Sequence, residues 1–227
     1  MLGQRYQALL KRVRMAEAAC GRNSDTHLLA VSKTRTADEI RGLAALGQFR
    51  FGENYLQEAE AKIKQLRDLP LEWHFIGRIQ SNKTRSIAEH FDWVHSVASL
   101  KHARRLSEQR PPHLPPLNIC LQVNTSGETS KDGHNPESLS SLLMDYASLP
   151  NLQIRGLMTI PAPTEGDSDM AHPFRLLRSL RDRLSSPQLP FETLSMGMSN
   201  DLEAAISEGA TIIRIGTAIF GPRGYNH

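Results

Sequence analysis

The sequence predicts an α/β protein built as a single (β/α)8 TIM barrel that comprises residues 1–227. Short apolar and β-branched runs recur along the chain, and helix-like segments alternate with them. Such alternation is typical of βαβ units and a parallel sheet. No linker is long enough to divide the chain, so we expect one domain. An open doubly wound sheet with an edge extension is the alternative arrangement of the same elements.

Eight runs are predicted to be strands, and most of them end on a polar residue or a glycine. In chain order the predicted strands are Leu28–Lys33, Phe49–Asn54, Leu71–Gly77, Trp93–Val97, Leu117–Asn124, Gln153–Ile160, Thr193–Gly197 and Ile212–Gly216.

Helices are predicted between these strands, and an extra helix at about Gln4–Ala19 precedes the first. Thr36 and Glu39 have the spacing of a capping box, and a second helix start lies at Asn200. The eighth helix is expected to be short or to be supplied by the leading one. The remaining predicted helices are Tyr55–Leu69, Gln80–His90, Ser99–Gln109, Pro136–Leu149 and Phe174–Leu184.

Composition excludes several classes of protein. The 27 basic residues nearly match the 24 acidic ones, the net charge is +3, and aromatic residues make up 6%; this argues against a nucleic-acid surface. No apolar run approaches the roughly 18 residues that cross a bilayer. Residues 1–10 lack the order of a secretory signal, and two cysteines form no disulfide framework. We therefore expect a cytoplasmic protein that contacts neither nucleic acid nor membrane.

A lysine closes the first predicted strand, which is otherwise mostly apolar. Active sites of barrels lie at the carboxyl ends of the strands. Lys33 is therefore a candidate nucleophilic amine, since partial desolvation favours the neutral form that condenses with aldehydes. A salt bridge or a snorkelling side chain is the alternative role.

Loops after strands seven and eight frequently form the phosphate site of a barrel. Here they carry Ser195, Ser199, Gly216 and Thr217, which offer hydroxyl groups and close backbone approach. Ordinary turn chemistry is the alternative explanation of these residue types. A lysine together with a phosphate site suggests pyridoxal 5′-phosphate (PLP). Arg214 in the last strand could face the ring nitrogen, and a surface arginine flanking the strand is the alternative.

Motifs over almost the whole chain resemble the pyridoxal phosphate homeostasis protein family, whose fold is that of the alanine racemase N-terminal barrel. They include Ala30–Thr34, Phe51–Tyr55, Trp73–Gly77, Ile79–Lys83, Leu121–Asn124, Gly156–Met158, Leu194–Ser199 and Ile213–Gly221. The resemblance implies PLP as the cofactor. It implies the following roles: Lys33 forms a Schiff base, Arg214 faces the pyridine nitrogen, Asn54 lines the cofactor, and Ser195, Ser199, Gly216 and Thr217 contact the phosphate.

The same resemblance implies a PLP carrier in vitamin B6 and amino-acid homeostasis, without a committed reaction. A PLP-dependent amino-acid racemase is the alternative. The chain ends at His227, soon after the eighth strand, which leaves no length for the second domain that completes an alanine racemase site. We therefore expect a monomer that binds PLP and other B6 vitamers, with PLP-dependent apoenzymes as candidate recipients.

The histidines and two of the lysines carry no assigned role. The nine histidines lack metal-ligand spacing, so we expect His74 and His95 to be satisfied core or barrel-mouth residues and no metal site. Lys83 has two alternative interpretations, an anion ligand at a helix start or a solvated charge on the helix surface. The resemblance links the position of Lys131 to PLP handling in some members of the family, and no role is assigned to it here.

Overall fold

The computed structural model describes residues 1–23, 26–127, 132–162 and 169–222. Within these ranges eight parallel strands close into a barrel in the order β1 to β8. The closing contact pairs β8 with β1, with Leu29 level with Arg214. The predicted barrel is confirmed and the open sheet is wrong, because an open sheet would leave these two strands as unpaired edges.

Most strands are shorter than the runs that predicted them, and β4 has the predicted bounds. Their bounds are β1 His27–Val31, β2 Arg50–Glu53, β3 Glu72–Phe75, β4 Trp93–Val97, β5 Leu117–Gln122, β6 Leu152–Met158, β7 Thr193–Ser195 and β8 Ile212–Ile215.

Helices follow the strands, and one precedes the first. Their bounds are α1 Leu2–Ala19, α2 Ala37–Ala44, α3 Leu56–Gln65, α4 Thr84–His90, α5 Leu100–Gln109, α6 Leu139–Ala147, α7 His172–Leu184, α8 Leu202–Ser207 and α9 Thr217–Phe220. None of the helices in the described ranges is long and apolar enough to cross a membrane.

The capping box at the start of α2 is present as predicted. The Glu39 amide donates to the Thr36 hydroxyl at 3.2 Å, and the Thr36 amide donates to the Glu39 carboxylate at 2.8 Å. Both bonds satisfy amides that a helix start leaves without partners. The first turn of α2 therefore begins at a fixed residue, five residues of chain after the end of β1.

The last helix has a single turn, and α1 packs against both α8 and α9. Arg12 makes a two-pronged ion pair with Glu203 at 2.5 and 2.6 Å. Arg5 donates to the carbonyl of Phe220 at 3.1 Å. The extra helix thus covers the seam that the short eighth crossover leaves open.

The core has two layers. Between the sheet and the helices the packing is aliphatic and aromatic, with Ile40, Leu106 and Phe174 fully buried. Inside the barrel it is partly polar, since His95 and Ser195 are also fully buried. Barrel interiors usually fill with branched aliphatic side chains, so these polar groups mark a candidate functional region.

Candidate functional site

Lys33 lies in a tight turn just beyond the carboxyl end of β1. The Arg35 amide donates to the Ser32 carbonyl at 3.0 Å, and Thr34 has φ of 63°. A positive φ is uncommon for a β-branched residue and must be held by its surroundings. The turn is therefore built, and Lys33 is presented half-buried at the mouth of the barrel.

A buried ion cluster holds this turn from below. Lys62 Nζ donates to the Ser32 carbonyl at 2.7 Å and to Glu53 Oε1 at 2.8 Å. The Ser32 hydroxyl donates to the same Glu53 oxygen at 2.6 Å. Burial raises the pKa of Glu53, and the bonds from Lys62 and Ser32 oppose that rise. The ion cluster is therefore hydrogen-bonded directly to the turn through Ser32.

Glu58 connects this cluster to the strained residue. Its Oε1 accepts from Lys62 Nζ and from the Thr34 amide, each at 2.5 Å. The carboxylate therefore anchors the backbone directly after Lys33. Since Glu58 and Lys62 are four residues apart on α3, one helix face fixes both sides of the turn.

Arg214 lies inside the barrel, below the mouth. It is 5% exposed, and its Nη1 and Nη2 donate to Ser195 Oγ and the Thr159 carbonyl, each at 2.8 Å. Burial lowers the pKa of Arg214 to about 10, so it stays protonated at neutral pH. These bonds engage two of its five N–H groups and fix the plane of the guanidinium.

The loops after β7 and β8 approach the mouth from the side of α1. Gly197 has φ of 94°, and a Cβ there would lie 2.5 Å from that of Ala205. Ser199 is half-buried, and its carbonyl accepts from Arg12 at 2.9 Å. Only glycine fits the first of these positions, so close packing on α8 sets the path of this loop.

Gly216 and Thr217 follow β8. A Cβ at Gly216 would lie 3.3 Å from the carbonyl oxygen of Val31, so a side chain would crowd the end of β1. Thr217 is exposed and begins α9. The backbone at the end of β8 therefore packs closely against the end of β1, next to the turn that carries Lys33, and the Thr217 hydroxyl follows directly.

Asn54 follows β2 at the same end of the barrel. Its Oδ1 is buried and has no hydrogen-bond partner among the residues that the structure describes. A cavity of about 170 Å³ beside it is lined also by Arg78 and Lys83. A buried amide oxygen without a partner is costly, so Asn54 is a group that a ligand could satisfy.

The structure gathers most of the predicted site residues at one end of the barrel. Lys33, Asn54, Ser199, Gly216 and Thr217 all follow the carboxyl ends of strands. Ser195 and Arg214 lie within β7 and β8 and are buried beneath them. The predicted position of Lys131 lies outside the described residues.

Sequence reasoning missed the residues that support Lys33. Glu53 and Lys62 are 0% and 5% exposed. A signal was available, because Lys62 falls on the same stripe of α3 as the buried Leu56 and Ala59. A lysine on an apolar stripe needs a buried partner. That partner, Glu53, is the last residue of β2.

Of the two expected placements, core and barrel mouth, His74 and His95 take the core one. His74 and His95 lie within β3 and β4, fully buried inside the barrel rather than at its mouth. Both are hydrogen-bonded, as predicted for satisfied histidines. Across the described part of the chain, no three His, Cys, Asp or Glu side chains are placed to hold a metal ion.

Comparison with known proteins identifies close relatives. Residues 5–224 match the family described as alanine racemase, N-terminal domain. The pyridoxal phosphate homeostasis protein of Pseudomonas aeruginosa is 60% identical over 215 residues, which cover 94% of this chain and 92% of that protein.

Two solved structures extend the comparison. PipY of Synechococcus elongatus with PLP bound is 40% identical, with a TM-score of 0.85 over 97% of this chain and 100% of that one. Alanine racemase of Corynebacterium glutamicum is 19% identical, with a TM-score of 0.66 over 97% of this chain and 63% of that one. The second likeness is one of fold alone.

Proposed function

Because this chain belongs to the pyridoxal phosphate homeostasis protein family, whose barrel is that of the alanine racemase N-terminal domain, we propose that it holds PLP on Lys33 and acts in intracellular PLP and amino-acid homeostasis. One observation carries the proposal. Lys33 stands at the end of β1 and Arg214 lies buried in β8, and these two strands pair directly.

The pairing of β1 with β8 supports a shared site. Leu29 is level with Arg214, and side chains of one strand alternate between two faces, so Leu29 and Val31 follow the face of Arg214. Lys33 comes two residues after the end of β1, in the turn, and four residues of chain span at most about 14 Å from the level of Arg214. We propose that the long side chains of Lys33 and Arg214 reach toward one volume from above and below.

The groups present fit the three chemical parts of PLP. The Lys33 amine would condense with the aldehyde carbon and release one water. Ser199, Gly216 and Thr217 would offer hydroxyl and amide donors to the phosphate. Arg214 and the unsatisfied Asn54 oxygen would face the ring. When bound, PLP supplies an electrophilic aldehyde and a ring that can withdraw electrons.

The residue placed toward the ring favours a carrier over an enzyme. A guanidinium does not give up its proton and can only donate a hydrogen bond. Arg214 would therefore donate to an unprotonated pyridine nitrogen, which weakens the ring as an electron sink. We propose that the protein stores and releases PLP without a committed reaction.

Reduction and peptide mapping test the attachment. The protein is incubated with PLP, its absorbance is recorded, and borohydride is added before digestion. We expect one labelled peptide, carrying Lys33. Lys33→Ala should lose the label and keep weaker, reversible binding, while Lys64→Ala, which changes an exposed lysine of α3, should keep the label. A label on any other lysine refutes the assignment.

An activity assay tests the carrier role. Protein loaded with PLP is mixed with L-alanine or D-alanine, and the enantiomer ratio is followed. We expect no appreciable change in that ratio. Steady turnover that disappears in Lys33→Ala would overturn the carrier role in favour of a racemase.

We propose further that the protein works in the cytoplasm as a monomer. Cys20 and Cys120 are both free thiols, which suits a reducing compartment. PLP-dependent apoenzymes are the proposed recipients of the cofactor, and other B6 vitamers the proposed alternative ligands. Light scattering with and without PLP tests the monomer, since a mass of two chains in either state contradicts it.

A further inference from the structure

A line of hydrogen-bonded polar side chains crosses the inside of the barrel. Glu72 Oε1 is 2.8 Å from His74 Nε2, and His74 Nδ1 is 2.8 Å from His95 Nε2. His95 Nδ1 is 2.7 Å from Ser195 Oγ, to which Arg214 donates at 2.8 Å. The inner four side chains are buried, whereas that of Glu72 is 38% exposed.

The arginine end fixes the direction of this line. A guanidinium can only donate, so Ser195 Oγ accepts from Arg214. The hydroxyl hydrogen then needs an acceptor of its own, because a buried donor without one is costly. His95 Nδ1 lies at the right distance and must carry a lone pair, so the proton of neutral His95 is on Nε2.

The glutamate end gives the same direction independently. The hydrogen bond from His74 lowers the pKa of Glu72, so this carboxylate is ionised at neutral pH and only accepts. His74 therefore carries its proton on Nε2, and its Nδ1 accepts from His95 Nε2. Both ends require the same tautomer of each histidine.

Burial favours the neutral form of both imidazoles. Burial lowers the pKa of His74, and the nearby Arg50 lowers it further, while Glu72 and Asp92 raise it. Burial lowers the pKa of His95 well below its usual value, with added contributions from His74 and Arg214. Two adjacent imidazolium ions in a buried space would repel each other.

We infer that His74 and His95 are positioning residues for Arg214. They maintain a line of hydrogen bonds in which every donor points the same way, from Arg214 through Ser195 and the two histidines to Glu72. Ser195 Oγ and the Thr159 carbonyl together fix the guanidinium plane. The opposite tautomer of His95 would turn an N–H toward Ser195 and leave its hydroxyl hydrogen without an acceptor. That arrangement would loosen one of the two anchors of Arg214.

The line runs from the proposed ring site to the other end of the barrel. Glu72 also pairs with Arg50 at 3.0 Å and lines a cavity of about 300 Å³ together with Trp93 and Arg155. A carboxylate there thus orients a guanidinium on the far side of the barrel. Only the role of Arg214 toward the ring rests on the proposed function, since the tautomers belong to the protein without PLP.

Nitrogen NMR on the protein without PLP tests the line itself. Histidine labelled with ¹⁵N is incorporated, and the ring nitrogens are assigned with the variants His74→Gln and His95→Asn. At pH 7 we expect both rings to be neutral with the proton on Nε2. An Nδ1 proton or an imidazolium ion at either position overturns the inference, whether or not the protein binds PLP.

Binding measurements test the positioning role. His95→Leu removes the acceptor for Ser195, while His95→Asn keeps an oxygen near the position of Nδ1. We expect PLP binding to weaken roughly tenfold in the leucine variant, with a shifted absorbance maximum, and to be largely restored by asparagine. Equal behaviour of the two variants contradicts the proposal.

The variant Ser195→Ala distinguishes an effect at the PLP ring from an effect at the phosphate. Because it removes only one oxygen, it also provides a test if His95→Leu fails to fold. If Ser195 acts through Arg214, the loss should be roughly tenfold for PLP and for pyridoxal, which lacks the phosphate. A loss seen with PLP alone places Ser195 on the phosphate and overturns its role in the line. Unchanged binding of both ligands overturns it as well. If wild-type protein binds neither ligand, the proposed function fails while the tautomer result stands.

Discussion

Replacing Lys62 by methionine should unsettle the turn that presents Lys33. Lys62 Nζ lies 2.8 Å from Glu53 Oε1 and 2.7 Å from the Ser32 carbonyl. Methionine keeps most of the apolar volume and removes the charge. The Glu53 carboxylate then stays in a site where it is 0% exposed and has no cationic partner from α3.

The expected loss is large for a single substitution. Breaking one partner of a buried ion pair costs about 3–5 kcal/mol. For a domain of this size, that corresponds to a fall in Tm of about 6–20 °C. Stability against urea at pH 7 measures it, and the amount of PLP bound reports whether the Lys33 turn is disturbed as well.

The pH dependence has a definite sign. Burial already raises the pKa of Glu53 above its usual 4.5, and loss of Lys62 raises it further. The folded state then binds more protons than the unfolded state between 4.5 and the raised value. The stability deficit of Lys62→Met should grow as pH rises through this window and shrink as pH falls toward 4.5.

Two controls separate the charge effect from packing. Lys64→Met makes the same change at an exposed position of α3 and should be nearly neutral. Glu53→Gln combined with Lys62→Met should be more stable than Lys62→Met alone, because no buried charge is left without a partner. The reasoning fails if Lys62→Met matches Lys64→Met in stability, or if its deficit does not change with pH.

Two further predictions concern the packing of single residues. Gly197→Ala should destabilise the protein more than Gly47→Ala, because both have φ of 94° but only the first places a Cβ 2.5 Å from Ala205. We expect about 1–2 kcal/mol for the backbone strain at each position and about 1–3 kcal/mol more for overpacking at Gly197, and equal urea midpoints would contradict this. Burial raises the pKa of Cys120 to about 12, so a thiol reagent at pH 8 should modify the exposed Cys20 and reach Cys120 only after denaturation; two fast-reacting thiols in the native protein would refute it.

The architecture was predictable because its signals are local. Alternation, capping and turn residues lie within a few positions of one another, and they placed all eight strands in order. Boundaries were less accurate. The run Leu71–Gly77 contains β3 but continues past Phe75, since apolar residues remain after the ladder ends. The helix predicted from Gln80 begins at Thr84, because a turn bonds Lys83 back to Gln80.

The support around the site was not predictable in the same way. Lys62 and Glu53 come from a helix and a strand, and nothing in the sequence states that they meet. The histidine line has a weak signal of period two, in Glu72 and His74 on one strand and Trp93 and His95 on the next. Such spacing shows that the side chains share a face of the strand. It does not show whether that face points into the barrel or toward the helices, because both sides of a parallel barrel strand are covered.

Contact between α1 and the last two helices has a consequence for biosynthesis. Arg12 and Glu203 are separated by 191 residues, and the apolar side of α1 with Leu9 and Val13 is buried in the finished protein. During translation that side stays exposed to solvent until α8 and α9 have left the ribosome, since domains emerge amino end first. Helix α1 is therefore among the last of these elements to find its place, and the nascent barrel is most exposed to aggregation just before α8 and α9 emerge.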